Sequence, residues 1–328
     1  MTSYLLGVDI GGTKIASGLF TAEGTLVARQ ILPTEDEKGF TFSSHQMFKT
    51  IELLMEKAVS FQGDITGIGV CAPGPVDPRK GILYNPPNLS GWENLNLRDL
   101  LEKRYGKRVV VDNDANAAGL AEALFGAGAG YTHVFYATVS TGIGTGIVFN
   151  RTIIHGKNGM AGEGGHMTIR CDESAPQCRC GNIGCIEAFA SGPSVAERAM
   201  KRLQDLAEKP CILEKVVQGR WDAITMKDIS QAATQGDSFC QGMIRETGIY
   251  LGIWLGSVIS ILDPDIIVIG GGLSKIGEPL FDVIRHEIPR RTINQCASET
   301  PVVVARLREN VGIYGAAALL FSGPDASQ

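Results

Sequence analysis

The stretch YLLGVDIGGTKIASGLF, residues 4–20, holds two apolar runs separated by a glycine turn. Apolar, β-rich segments joined by a short glycine turn predict a β-hairpin. A further strand follows the turn AEG at 22–24, so the chain is predicted to open as a β-meander. Asp9 lies at the end of the first strand, directly before the glycines.

The same plan of strand, glycine turn and strand recurs at HVFYATVSTGIGTGIVF, residues 133–149, and a third glycine turn ends the apolar run DPDIIVIGGG, residues 263–272. Predicted helices and strands alternate elsewhere, which indicates a mixed α/β class. A length of 328 residues with 44% hydrophobic content predicts two lobes rather than one domain.

Charge and targeting signals exclude several classes of protein. A formal net charge of -5 argues against a nucleic-acid partner. The N-terminus shows no secretion signal, so we expect a cytoplasmic location. The apolar stretch 248–262 is short, interrupted by glycine and followed by DPD. It predicts a buried helix and no membrane association.

Glycine turns that carry Thr, Ser and Lys suit polyanion binding, because backbone N–H groups can approach phosphate oxygens. Tight hairpins that simply need glycine remain the alternative for each turn. DIGGTK matches neither the dinucleotide-binding nor the P-loop pattern. An acid beside bound phosphates, as Asp9 would be, suits a hydrated Mg²⁺ ion.

Eight cysteines without an export signal argue against a disulfide framework. The segment CRCGNIGCIE, residues 178–187, concentrates three of them. With His166 upstream they offer one nitrogen and three sulfurs, the donor set of a closed tetrahedral Zn²⁺ site with a structural role. Cys171 is a possible replacement ligand. The remaining cysteines are predicted to be small buried side chains: Cys71, Cys211, Cys240 and Cys296.

VVVDNDANAAGL, residues 109–120, ends a strand with acids directly before a helix. Asp114 fits two interpretations: an N-cap of that helix, or a general base that accepts a hydroxyl proton. Glu187, just after the last clustered cysteine, is similarly open between a ligand-binding carboxylate and an acid that complements a helix dipole.

Taken in order, the motifs GVDIGGTK, VDNDANAAGLAE, VSTGIGTG, EGGH, CRCGNIGCIE and VIGGGLS resemble the ROK family of sugar kinases and related repressors. The resemblance implies the two-lobed actin and hexokinase type of ATPase fold, which is ribonuclease H-like, with ATP over the glycine turns and sugar in the cleft between lobes. We expect the smaller lobe at 1–116 plus 313–328 and the larger lobe at 117–312.

The resemblance also implies roles for individual residues. The first phosphate loop would be Asp9, Gly11, Gly12, Thr13 and Lys14; the second would be Ser140, Thr141 and Gly142; the adenosine pocket wall would be Gly270, Gly271 and Gly272. Zinc ligands would be His166, Cys178, Cys180 and Cys185. Asp114 would be the catalytic base, and it would contact the sugar together with Gly74, Asn88, Asn113, Glu163, His166 and Glu187. Many members carry GTGxGGG where this chain has STGIGT, residues 140–145.

These roles describe an ATP-dependent hexose kinase that uses Mg²⁺ and carries structural Zn²⁺. The stretch 73–97 resembles the corresponding part of ROK glucokinases, which favours glucose; N-acetylmannosamine or N-acetylglucosamine is the alternative acceptor. A repressor would need a DNA-binding domain ahead of the first strand, which begins near Tyr4, so we expect none. A sugar-binding regulator without catalysis would be expected to lack Asp114 or DIGGTK. Family members are commonly dimers or tetramers, so a homodimer or homotetramer is expected.

Overall fold

The computed structural model describes residues 2–87 and 89–321, so Asn88 and the tail after Phe321 lie outside the described residues. The chain divides into two compact units. Unit 1 comprises Met1–Tyr136, Gly146–Gly162 and Arg306–Gln328, and unit 2 comprises Ala137–Thr145 and Glu163–Ala305.

Unit 1 is built around a five-stranded mixed sheet. The strands of unit 1 as a whole are β1 (Thr2–Ile10), β2 (Lys14–Thr21), β3 (Leu26–Pro33), β4 (Gly63–Ala72), β5 (Val76–Asp77), β6 (Ile82–Leu83), β7 (Leu95–Asn96), β8 (Arg108–Asn113) and β11 (Thr152–Ile153). The helices of unit 1 are α1 (Phe40–Ser60), α2 (Leu97–Tyr105), α3 (Asp114–Phe125) and α10 (Val311–Ala318). The main sheet has the order β3-β2-β1-β4-β8, and β5, β6 and β7 form a small second sheet. The predicted opening meander of β1, β2 and β3 is confirmed as antiparallel pairing.

Helix α10 packs against β1 and β4 at very short distance, which requires glycine on both strands. A Cβ on Gly69 would lie 1.8 Å from the carbonyl oxygen of Ala316, and one on Gly7 would lie 2.4 Å from that of Ile313. Side chains at these positions would push the helix away from the sheet. The close approach brings Gly312, near the start of α10, against the end of β1.

Helix α3 packs on α10 within unit 1 and is tied to the chain before α10 by Glu122. The Glu122 side chain is fully buried, and its carboxylate accepts hydrogen bonds from the backbone N–H groups of Ala127 (2.7 Å), Arg306 (3.1 Å) and Leu307 (2.8 Å). Buried carboxylates persist only when such bonds replace water. The lobe division at residue 117 stays a prediction, while all of α3 belongs to the compact unit described here.

Glu122→Gln should lower the free energy of unfolding by about 3 kcal/mol, because the amide replaces a charged acceptor and brings N–H donors against backbone donors. Urea unfolding followed by circular dichroism measures the change. Glu102→Gln is the matched control, since Glu102 accepts one partly buried hydrogen bond, from the Val109 N–H at 3.1 Å. Equal stability of the Glu122→Gln and Glu102→Gln proteins would contradict this role for Glu122.

The predicted hairpin strands at 133–149 are confirmed as β9 (His133–Val139) and β10 (Ile143–Phe149). The chain passes from one unit to the other within each of these two strands. Unit 2 also holds strands β12 (Ile266–Gly270) and β13 (Val302–Val304), and helices α4 (Ile186–Ala190), α5 (Gly192–Gln204), α6 (Cys211–Val217), α7 (Met226–Thr234), α8 (Ser238–Leu262) and α9 (Glu278–Glu287). The second five-stranded sheet has the order β11-β10-β9-β12-β13.

The predicted buried helix at 248–262 is confirmed as the second half of α8. Helix α8 as a whole is capped at its start by Asp237, whose carboxylate accepts the Cys240 N–H at 3.0 Å, and it ends before Asp263, whose backbone lies in the left-handed region. Trp254 and Leu255 are fully buried. In the described part of the chain, no helix has both the length and the apolar character that crossing a membrane requires.

Candidate active site

Unit 1 presents its first group of candidate residues where β1 ends. Asp9 pairs with Ala16 across the β1–β2 hairpin, and the Gly11 N–H donates to the Lys14 carbonyl at 3.0 Å to close the turn. Thr13 and Lys14 are exposed. The structure therefore brings the predicted first phosphate loop together as one hairpin turn with its acid at the base.

The Asp9 carboxylate lies against β4 and α10. The Cys71 Sγ is 3.4 Å from Asp9 Oδ1 and 3.4 Å from the Gly312 carbonyl oxygen. Burial raises the pKa of Asp9, although the Cys71 hydrogen bond and the Lys14 charge counteract the shift. Burial and the Asp9 charge raise the pKa of Cys71 well above its usual value, so this thiol stays protonated and donates.

Asp114 is the first residue of α3, and the residue that caps this helix is Asn113. Asn113 Oδ1 accepts the N–H groups of Ala115 at 2.9 Å and Asn116 at 3.3 Å. The interpretation of Asp114 as the N-cap is therefore wrong, because the extended backbone of Asn113 places its own amide over the free N–H groups.

Asp114 has an unusually basic carboxylate for an aspartate. Burial, followed by the nearby Asp9 charge, raises the pKa of Asp114 to about 6, against hydrogen bonds that lower it. Asp114 is exposed as a residue, so its carboxylate is open to a ligand, although many protein atoms lie close enough to it to raise its pKa. The group is ionised at neutral pH and can accept a proton, the property that a general base requires.

The chain also brings Gly74 to the start of α3. Strands β4 and β8 are parallel and place Ala72 opposite Asn113, so the loop after β4 passes over the Asn113 side chain. A Cβ on Gly74 would lie 3.0 Å from Asn113 Nδ2. Gly74, Asn113 and Asp114 thus lie together, whereas the predicted partner Asn88 lies outside the described residues.

Unit 2 brings its two glycine turns side by side. Gly271, after β12, has a φ of +82°, and a Cβ there would lie 2.4 Å from the Val139 carbonyl oxygen. A Cβ on Gly272 would be 3.5 Å from Ser140 Oγ. Only glycine allows this approach. The predicted second phosphate loop and the predicted adenosine wall are therefore neighbours within unit 2.

The predicted metal ligands converge in unit 2. One donor atom from each of His166, Cys178, Cys180 and Cys185 lies within 4.8 Å of all the others. Cys178 Sγ is 3.7 Å from His166 Nδ1, and Cys180 Sγ is 3.7 Å from Cys185 Sγ. A tetrahedral Zn²⁺ ion would separate its sulfurs by about 3.8 Å, so the donor set fits that ion.

Positive φ values at two glycines let the loop wrap around these donors. Gly181 has a φ of +93° and Gly184 one of +79°, and a Cβ on Gly184 would lie 1.6 Å from the Arg170 carbonyl oxygen. Without a cation, burial first and then the Cys180 thiol raise the pKa of Cys185 to about 12. Such thiols bind a metal as thiolates and release their protons on binding. Cys171 is exposed and is not among the grouped ligands.

Glu187 connects the cysteine loop with the second phosphate loop. It lies in the first turn of α4, but its Oε2 accepts the Ile143 N–H at 2.8 Å, and its Oε1 is 3.6 Å from Cys178 Sγ. Glu163 is exposed two residues before the buried Gly165. Within unit 2, Glu187 and His166 are thus anchored at the same cluster of donors.

The donor cluster, the glycine turns and the order of motifs agree with one family. The ROK family profile matches residues 5–322. This chain belongs to the ROK family. Its fold is therefore the actin and hexokinase type of α/β fold, as predicted from the motifs.

Several known proteins are similar to this chain over most of their length. The glucokinase of Halalkalibacterium halodurans is 34% identical over 95% of this chain and 93% of its own. A ROK family glucokinase from Streptomyces griseus, solved in complex with glucose and AMPPNP, is 34% identical, covers 98% of this chain and 100% of its own, and has a TM-score of 0.79. The xylose repressor of Caldicellulosiruptor bescii is 29% identical over 97% of this chain and 78% of its own.

Three contacts of this ROK chain were not predicted from its sequence. Asp112 Oδ2 is 2.6 Å from His155 Nε2, Cys71 contacts Asp9, and the Thr145 hydroxyl accepts the Gly164 N–H at 3.1 Å. The parallel register of β1 and β4, which the sequence does not specify, places Asp9 opposite Cys71. Thr145 is where the chain departs from the common GTGxGGG pattern, and that departure singled out its position.

Proposed function

We propose that this chain is an ATP-dependent hexose kinase whose acceptor is glucose, with Asp114 as the general base. The observation that carries the proposal is the Asp114 carboxylate, held at the start of α3 beside Asp9 with its pKa raised to about 6. Transfer of a phosphoryl group to an alcohol needs such a group to accept the hydroxyl proton.

Similarity supports the same activity. The relatives with 34% identity over nearly the full chain are named glucokinases, and one was solved with glucose and an ATP analogue bound. The similarity to a xylose repressor extends over as much of this chain, at lower identity. Family membership alone therefore favours sugar binding, and the Asp114 carboxylate supports the kinase over a noncatalytic regulator.

On the acceptor side, Asp114 would take the proton from the hydroxyl that attacks the γ-phosphate. Asn113 Oδ1 is already occupied by the cap of α3, so Asn113 would bind a neighbouring hydroxyl as a donor, through Nδ2. Gly74 leaves that amide accessible, because a side chain there would lie against it. Asn88 stays a predicted further contact.

On the nucleotide side, backbone N–H groups of the first turn (residues 11–14) and of the second (residues 140–142) would hold ATP phosphates, apart from those of Gly11 and Ser140, which already donate to the carbonyls of Lys14 and Gly142. Gly270, Gly271 and Gly272 would lie against the adenosine. Asp9 offers the oxygen donor that Mg²⁺ prefers, and its charge beside Asp114 suits a nearby cation. Mg²⁺, when bound, neutralises charge on the β- and γ-phosphates.

The cysteine loop would shape the remaining sugar contacts. Glu187 can accept from sugar hydroxyls with lone pairs that the Ile143 N–H leaves free, and Glu163 and His166 would add further contacts. His166, Cys178, Cys180 and Cys185 would hold Zn²⁺, which supplies structural cross-linking in a site with four protein ligands.

The test is ADP release from Mg-ATP by zinc-replete protein, measured against glucose, mannose, fructose, N-acetylglucosamine and N-acetylmannosamine over a concentration series. We expect the largest kcat/KM with glucose. A larger value with an N-acetylated sugar would replace glucose by the amino-sugar alternative. Binding of a sugar without release of ADP would favour a noncatalytic regulator and contradict the kinase.

The pH dependence of kcat/KM should follow the ionisation of Asp114. Because its pKa is raised from 3.8 to about 6, the ionised base is lost as the pH falls through about 6, so kcat/KM for the sugar should fall about tenfold per pH unit below that point. Rates at saturating Mg-ATP across this range and up to neutral pH, with the coupling enzymes checked separately, measure this limb. A profile that stays flat well below the pKa of Asp114 would contradict the assignment.

A further inference from the structure

We propose that His155 is a positioning residue for the reaction, acting through Asp112 on the start of α3 where Asp114 lies. The kinetic test of this inference rests on the proposed kinase function, whereas its structural test does not. His155 belongs to the segment after β11, 43 positions from Asp112, and both residues lie within unit 1.

Asp112 is a buried carboxylate with both oxygens engaged. Its side chain is 4% exposed. Oδ1 accepts the Asn113 N–H at 2.7 Å and Asn116 Nδ2 at 3.1 Å, while Oδ2 is 2.6 Å from His155 Nε2. The Asp112 carboxylate therefore joins the end of β8, the first turn of α3 and the segment after β11.

The Asp112 bonds hold the residues that define the start of α3. Asn113 caps the helix by accepting the N–H of Asn116, and the Asn116 side chain returns to Asp112. Asp114 lies between these two anchored residues. Its carboxylate can stay in reach of a substrate hydroxyl only while this turn keeps its place, and displacement of about 1 Å costs on the order of 100-fold in rate.

His155 is itself held by its own loop. Its carbonyl accepts the Ala161 N–H at 3.0 Å, and the next carbonyl, of Gly156, accepts from Arg79 Nη2 at 3.1 Å. The ring is 22% exposed, so most of it is packed in protein. If the His155 ring were removed, the buried Asp112 Oδ2 would be left without a hydrogen-bond donor. Either the surrounding structure would rearrange or the carboxylate would take up a proton.

The test compares four variants with wild type: His155→Leu, His155→Gln, Asp112→Asn and the double variant Asp112→Asn/His155→Leu. His155→Leu should lower kcat about 30-fold with KM for glucose changed less than about threefold. His155→Gln, whose amide can still donate to Oδ2, should stay within about threefold of wild type. The double variant should be faster than His155→Leu, since the neutral amide that replaces the Asp112 carboxylate leaves no buried charge unpaired. His45→Leu, at an exposed position on α1, is the control.

Hydrogen exchange of the backbone amides of Asn113, Ala115 and Asn116 gives a readout that does not depend on turnover. We expect faster exchange in His155→Leu and wild-type rates in His155→Gln. Unchanged exchange with lowered kcat, or faster exchange with unchanged kcat, would overturn the positioning role. Equal impairment of the Leu and Gln variants would do so too. If wild type itself shows no sugar-dependent turnover, the kinase proposal fails, and faster exchange in His155→Leu still supports the contact with α3. Should His155→Leu not fold, the Gln and double variants decide.

Discussion

Asp114→Asn should reduce sugar-dependent ADP release by about 10³-fold, with sugar affinity changed less than about threefold. The amide cannot accept the hydroxyl proton, but its oxygen can still accept the Ala115 N–H, which lies 2.8 Å from Asp114 Oδ1. The start of α3 should therefore keep its geometry. Steady-state kinetics and calorimetric titration of glucose measure the two effects separately.

The folding stability of this variant provides a check on the pKa of Asp114. A folded-state pKa raised from 3.8 to about 6 means that folding favours the protonated form, so the contribution of Asp114 to stability is present below the unfolded value and lost as the pH rises through about 6. Asp114→Asn should thus be at least as stable as wild type at alkaline pH. Asp99→Asn, in the first turn of α2, is the matched control, since it should leave activity unchanged and lower the free energy of unfolding by at most about 1 kcal/mol through the lost helix-dipole interaction. Normal turnover by Asp114→Asn would refute the base assignment.

Removal of metal from the cysteine cluster should weaken glucose binding about 30-fold and ATP binding by less. Without the cross-link, His166 and Glu187 lose fixed positions, and each hydrogen bond to a charged group that is lost costs about 1.5–3 kcal/mol. Part of the effect should reach the phosphate loop, because Glu187 Oε2 holds the Ile143 N–H at 2.8 Å. Calorimetry of chelated and zinc-restored protein, with metal content measured in parallel, tests this.

Single cysteine substitutions distinguish the effect of losing the metal from any other effect of the chelator. Cys185→Ser should lose metal and reproduce the weak glucose binding, whereas Cys171→Ser should keep both, because Cys171 is exposed and does not belong to the ligand group. Unchanged glucose affinity after verified loss of the metal would contradict the shaping role of the cluster.

The local part of this site could be predicted from sequence and the long-range part could not. The hairpin turn after Asp9 and the cysteine loop depend on glycines and donors within a few positions, and spacing is enough to recognise them. The pairs Asp112–His155 and Asp9–Cys71 join residues 43 and 62 positions apart, and the bond from the Arg306 N–H to Glu122 spans 184. No periodicity in the chain specifies such partners.

The start of α3 shows a second limit of local reasoning. Asn113 and Asp114 are both good N-cap residues, so their order alone does not decide which one caps the helix. The extended backbone of Asn113, as the last residue of β8, decides it, and leaves the Asp114 carboxylate for another role. A homodimer or homotetramer and a cytoplasmic location stay predictions.

Phosphorus NMR of a reaction containing the protein, Mg-ATP and glucose tests the kinase most directly, because it identifies the product as well as the turnover. The proposed mechanism predicts glucose 6-phosphate and ADP in equal amounts, with neither formed by Asp114→Asn above about a thousandth of the wild-type rate. ADP accompanied by inorganic phosphate alone, or no turnover with any of the five sugars, would contradict it.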